Sequence, residues 1–118
     1  MKKTIFLSAI AMTLLACNPS NPLLEAPETP YGVPAFDQVK IEHYMPAFEA
    51  AIAEQKAEID AIVTNQAEPT FDNTIVALDR TGMLLERVSG VFFNVLEADG
   101  NDEMNAIAEQ VSPMLSEL

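Results

Sequence analysis

The side chain best suited to acid–base or metal chemistry is the only histidine, His43, which lies beside Glu42 and six positions ahead of Glu49. A zinc site built on one helix needs two ligands a turn apart, as in His-Glu-x-x-His, so that both face the same ion. No second histidine exists, and Glu42 would point about 100° away from His43 on a helix. Glu49, six positions on, falls on nearly the opposite face. His43 is therefore expected to be a polar residue of a first helical turn, and no metal is expected to bind this chain. The run Glu97–Glu103, EADGNDE, has the composition of a calcium loop. Such a loop requires Gly at position six and Glu at position twelve. Counting from Glu97 places Asp102 and Ala108 there, and counting from Asp99 places Met104 at six. The run reads instead as a capped turn between helices. Ser89 precedes Gly90, but no histidine remains to act as its base, so a serine triad within this chain is excluded. No catalytic residue is expected among these 118.

The remaining chemically distinctive residue is Cys17. It follows Lys2 and Lys3, an apolar run of 11 residues from Ile5 to Leu15, and the tetrapeptide Leu14-Leu15-Ala16-Cys17. The run is shorter than the ~20 residues a spanning helix needs. Basic start, apolar middle and small residues at the end make a secretory signal over residues 1–16. The tetrapeptide resembles the lipobox of bacterial lipoproteins, which makes Cys17 a lipidation site. The expected protein is exported and held by its lipid on a membrane facing the periplasm or cell surface. Cys17 is the single cysteine, so no internal disulfide can form. Beyond it stand four basic and eighteen acidic residues, a net charge of −14. Such a surface repels nucleic acid and anionic headgroups. Membrane attachment then depends on acyl chains, each buried CH₂ contributing ~0.8 kcal/mol.

The elements that position these groups are helical. Residues 17–40 carry Pro19, Pro22, Pro27, Pro30 and Pro34 and are expected to form an extended tether and lead-in. Leu23, Leu24, Tyr31, Val33 and Phe36 are too many apolar residues for a solvated linker, so part of it should lie across a folded surface. From about Glu42, Tyr44, Phe48, Ile52, Ile59, Ile62 and Val63 make one helical stripe, ending near Thr64-Asn65. Thr70 is placed to cap a second helix with Asp72 in its first turn. There Phe71, Ile75, Leu78, Leu85, Val88, Phe92, Val95 and Leu96 read as one continuous stripe. Gly82 and Gly90 interrupt it and suggest close approach of another helix. Asn101 or Asp102 caps a third helix with Met104, Ile107, Val111, Met114 or Leu115, and Leu118 inward. The fold class is all-α: an antiparallel three-helix segment over residues 41–118. Leu118 closes an apolar period without a cap, and Glu117 has the wrong sign for a helix C-terminus. The chain is thus expected to be cut from a longer one.

Three segments carry a resemblance: PAFDQVKIEHYMPAFEAAIAEQKAEIDAI, PTFDNTIVALDRTGMLLERV and NDEMNAIAEQVSPMLSEL. In that order and spacing they resemble the N-terminal region of the thimet oligopeptidase family, in the branch of peptidyl-dipeptidase Dcp and oligopeptidase A. The resemblance implies a larger all-α zinc metallopeptidase that hydrolyses short peptides. It implies a zinc-activated water and a motif glutamate as base, on a His-Glu-x-x-His helix beyond position 118. It implies that the present helices help to wall a substrate channel. Zinc is then a cofactor of the full-length protein, and no site residue transfers to this numbering. The competing expectation is a complete, small, acidic helical lipoprotein that binds a partner protein.

Overall fold

The computed structural model describes residues 20–118. The expected signal segment, residues 1–16, and Cys17, the expected lipidation site, lie outside the described residues. The described part is helical throughout apart from its connections: α1 (Ile41–Val63), a π-helical turn (Phe71–Val76) running into the short α2 (Ala77–Asp79), α3 (Met83–Asp99) and α4 (Asp102–Ser116). A single 3-10 turn, Pro30–Gly32, interrupts the lead-in. α1 packs against both α3 and α4.

The ends of the helices follow from their side chains. The Thr70 hydroxyl accepts from the Asn73 amide at 3.1 Å, and Asn73 Oδ1 accepts from the Thr70 amide at 2.7 Å. Two otherwise unpaired donors are satisfied reciprocally. Asn101 Oδ1 accepts from the Met104 amide at 3.0 Å, so Asn101 rather than Asp102 caps α4. Pro46 is the sixth residue of α1, past the first turn, so the Glu42 carbonyl lacks its i+4 amide donor.

The core is assembled from one stripe per long helix. Tyr44, Ala47, Phe48, Ala51 and Ile52 of α1 meet Leu84, Leu85, Val88, Val91 and Phe92 of α3 and Met104 and Val111 of α4. Phe92 is its centre, with its ring edge-to-face against Tyr44 at 4.9 Å and Phe48 at 5.3 Å. Phe93 adds a half-buried ring 5.1 Å from Phe92. Such edge-to-face pairs contribute about 0.5–1.5 kcal/mol beyond their burial. No polar or charged residue among those described is buried.

Three expectations need correction. The second helix is not continuous: the chain leaves α2 at Arg80, Gly82 adopts φ +75°, and α3 starts afresh at Met83. The break divides the apolar stripe. Leu85, Val88 and Phe92 go to the core, while Phe71, Ile75 and Leu78 stay in water. The break is held by α1. The Gly82 amide donates to Glu58 Oε2 at 2.7 Å, and a Cβ at Gly82 would lie 2.7 Å from the Gln55 side chain. Gly82 therefore does permit a close approach, but Gly90 does not, since a Cβ there meets nothing within 4 Å. Val63 and Leu118, expected inward, are exposed because each lies at the frayed edge of its helix.

The lead-in is partly docked. Leu23 is buried with the core residues, Asn21 Nδ2 donates to the His43 carbonyl at 2.7 Å, and Arg87 Nη2 donates to the carbonyls of Leu23 and Leu24. Further on, Tyr31, Val33 and Phe36 remain exposed.

Candidate functional site

His43 is occupied by a structural task. Its Nδ1 accepts the Lys40 amide hydrogen at 3.0 Å, and its own amide donates to the Lys40 carbonyl at 3.0 Å. Lysine at the helix-capping position has no acceptor, and His43 at the third helical position supplies one, in the place where Glu or Gln usually reaches back. As an acceptor Nδ1 carries no proton and presents no lone pair outward. Glu42 pairs loosely with Lys40 at 3.8 Å, both side chains being largely exposed, so the pair adds little. Among the described residues no three His, Cys, Asp or Glu side chains gather as a metal requires. Zinc, which the family resemblance implies, does not fit the donors present, and no step through it can be built on these residues.

The acidic run at residues 97–103 is the capped turn between α3 and α4. Gly100 ends α3 there, and a Cβ on it would overlap the Leu96 carbonyl oxygen. Ser89 lies on α3 with no histidine to activate it.

Two surfaces remain. The first is a groove of about 460 Å³ between the docked lead-in, the start of α1 and the middle of α3. It brings together Lys40, His43 and Arg87, three of the five basic or imidazole side chains among the described residues, but Glu25, Glu28 and Glu42 line it too. Two cations face three carboxylates there, and no nucleophile stands beside a base. Sequence reasoning missed it, because Arg87 reaches it from more than sixty positions away along the chain.

The second surface is the outward stripe Phe71, Ile75 and Leu78, exposed by 70%, 52% and 51%. Its backbone is well tied: Thr70 and Asn73 cap one end, Asn73 Nδ2 also donates to the Glu68 carbonyl at 2.9 Å, and Gly82 is pinned at the other end. Three large apolar side chains are thus held in water on an ordered segment, with Glu68, Asp72, Asp79 and Arg80 as its charged neighbours in sequence. Exposed apolar clusters of this kind mark contact surfaces. Asn73, the hub of the cap, was legible only as a variant of the Ser/Thr-x-x-Glu/Gln pattern.

No family model matches the chain. Individual proteins do. It is 43% identical over 99 residues to dipeptidyl carboxypeptidase of Salmonella typhimurium, covering 84% of this chain and 15% of that protein. It is 46% identical over 98 residues to dipeptidyl carboxypeptidase of Escherichia coli, covering 83% and 14%. Oligopeptidase A of S. typhimurium is 29% identical over 98 residues, covering 83% and 14%. The chain therefore spans about one seventh of the length of these relatives.

Proposed function

We propose that this chain, which matches the N-terminal region of the thimet oligopeptidase family, is the N-terminal helical segment of an exported, lipid-anchored zinc peptidase that hydrolyses short peptides. The observation that carries the peptidase reading is the 46% identity to E. coli dipeptidyl carboxypeptidase over 98 residues, 83% of this chain. The family name supplies the substrate class, peptides shortened by dipeptide units from the carboxyl end. Support for export and lipidation comes from Lys2-Lys3, the apolar run Ile5–Leu15 and the Leu14-Leu15-Ala16-Cys17 tetrapeptide. Zinc enters through the family resemblance alone. Since His43 is committed to a helix start, hydrolysis is assigned to polypeptide outside these 118 residues, and the segment serves as scaffold.

The test is a hybrid enzyme. The matched segment of E. coli dipeptidyl carboxypeptidase is replaced by residues 21–118 of this chain. The hybrid should release dipeptides from short peptides, and a chelator should stop it. A folded hybrid without activity overturns the reading. In parallel, the purified 118-residue chain should hydrolyse nothing and retain no stoichiometric zinc after dialysis. One tight zinc per chain would contradict its assigned role. Export with lipidation is tested separately in a bacterial host supplied with a fatty-acid analogue. Cys17→Ser should lose the label and leave the membrane fraction, whereas equal labelling of both proteins removes the anchor.

A further inference from the structure

The exposed stripe on the Phe71–Val76 turn and α2 raises the question of what covers it. Phe71, Ile75 and Leu78 are spaced four and three apart, so they share one side of the segment. Their exposure does not come from a loose backbone, because the segment is capped at Thr70 and pinned at Gly82. The core does not take them in: Leu84, Leu85 and Val88 beyond the turn at Gly82 join it, and α2 meets α1 with these three side chains left outside.

We propose that this stripe docks onto the remaining polypeptide of the full-length peptidase, on an apolar surface rimmed by basic side chains. The inference rests on the peptidase reading above and adds to it the surface and the chemistry of the contact. Two observations select the occupant. The first is length. Any 99 consecutive residues of a 118-residue chain include positions 20–99, so the stripe falls inside the stretch shared with S. typhimurium dipeptidyl carboxypeptidase. That stretch is 15% of the relative, and the other 85% of its length is available to cover it. The second is charge. Glu68, Asp72 and Asp79 flank the stripe along the sequence, and Arg80 is the one base between positions 57 and 86, on a chain of net charge −12. A second copy would set two acidic rims against each other, and an anionic lipid surface would repel the same rim. A basic rim around an apolar centre complements it.

The hybrid enzyme provides the test. Ile75→Asp with Leu78→Asp places charge in the contact. Asp72→Lys with Asp79→Lys reverses the rim while leaving every apolar side chain in place. Both pairs should lower the hybrid's melting temperature by several degrees and its peptide hydrolysis by about tenfold or more, a loss of the size expected when a buried contact is broken. In the 118-residue chain alone, the same pairs should leave the helical circular dichroism intact, and the first should reduce hydrophobic-dye binding. This shows that the segment itself still folds. An active hybrid that keeps its melting temperature and rate with both pairs overturns the docking while leaving the peptidase reading in place. An inactive unsubstituted hybrid overturns both. A concentration-dependent dimer of the 118-residue chain that Ile75→Asp with Leu78→Asp abolishes would assign the stripe to a second copy instead.

Discussion

A lysine offers a helix N-terminus no acceptor, and at Lys40 the missing half comes from His43. His43→Ala should therefore cost about 0.5–2 kcal/mol, the range of lost helix caps, whereas His43→Gln should restore much of it by reaching the same amide. Urea unfolding of the three proteins measures this. Equal stabilities would mean that the contact contributes nothing. One position further, burial pushes the Tyr44 hydroxyl above the ordinary tyrosine value of 10.0 through desolvation. The folded chain thus holds that proton more tightly than the unfolded chain. Its contribution is complete below the unfolded value and is lost as pH rises through the folded value. The urea midpoint should fall above pH 10, and less steeply in Tyr44→Phe. Reading His43 as a polar first-turn residue needed only the absence of a second ligand. Its partnership with Lys40 was hidden because neither residue type is a usual member of that motif.

Among the elements, what was legible is what local chemistry decides. Thr70 and the Asn101–Asp102 pair announced helix starts, and the spacing of Tyr44, Phe48 and Ile52 announced the buried face of α1. The break at Gly82 was not legible as a break, because the apolar period runs unchanged from Phe71 to Leu96. Only contacts from α1, through Gln55 and Glu58, settle that Gly82 is left-handed. Gly82→Ala should cost about 1–2 kcal/mol from backbone conformation alone. Gln55→Ala clears the steric overlap but not the φ of +75°, so the penalty should persist in that background. A double-mutant cycle measures it. Full rescue by Gln55→Ala would place the whole cost in the overlap. The apolar stripe was also misassigned for a general reason. Periodicity identifies which residues share a face but not whether that face has a partner.

The molecule as described rests on a single small core. Thirteen residues form it, all apolar or aromatic, with Phe92 in contact with both aromatic rings of α1. A lone core of this size gives only ~3–5 kcal/mol. Phe92→Ala, at about 3–5 kcal/mol, should strip the isolated 118-residue chain of most of its helical circular dichroism. The unsubstituted chain should be helical by far-ultraviolet circular dichroism yet bind a hydrophobic dye and melt broadly, since Phe71, Ile75, Leu78 and Met83 are uncovered. A sharp, high-temperature transition without dye binding would favour the self-contained partner-binding lipoprotein.

The clamp on the lead-in has a consequence for geometry at a membrane. Asn21 is fastened to the start of α1, so with Cys17 acylated only four residue steps separate the lipid from the folded body. Fully extended, four residues reach about 13–14 Å, close to the ~10 Å screening distance at 0.1 M salt. The same hydrogen bond from Asn21 sets the lead-in against the start of α1, beside Glu42, on a chain of net charge −12. With Cys17 acylated, so short a leash would keep this end within about one to two screening lengths of an anionic headgroup layer. Its stand-off and tilt then become functions of ionic strength: pressed outward in dilute buffer, settling toward the bilayer as salt is added.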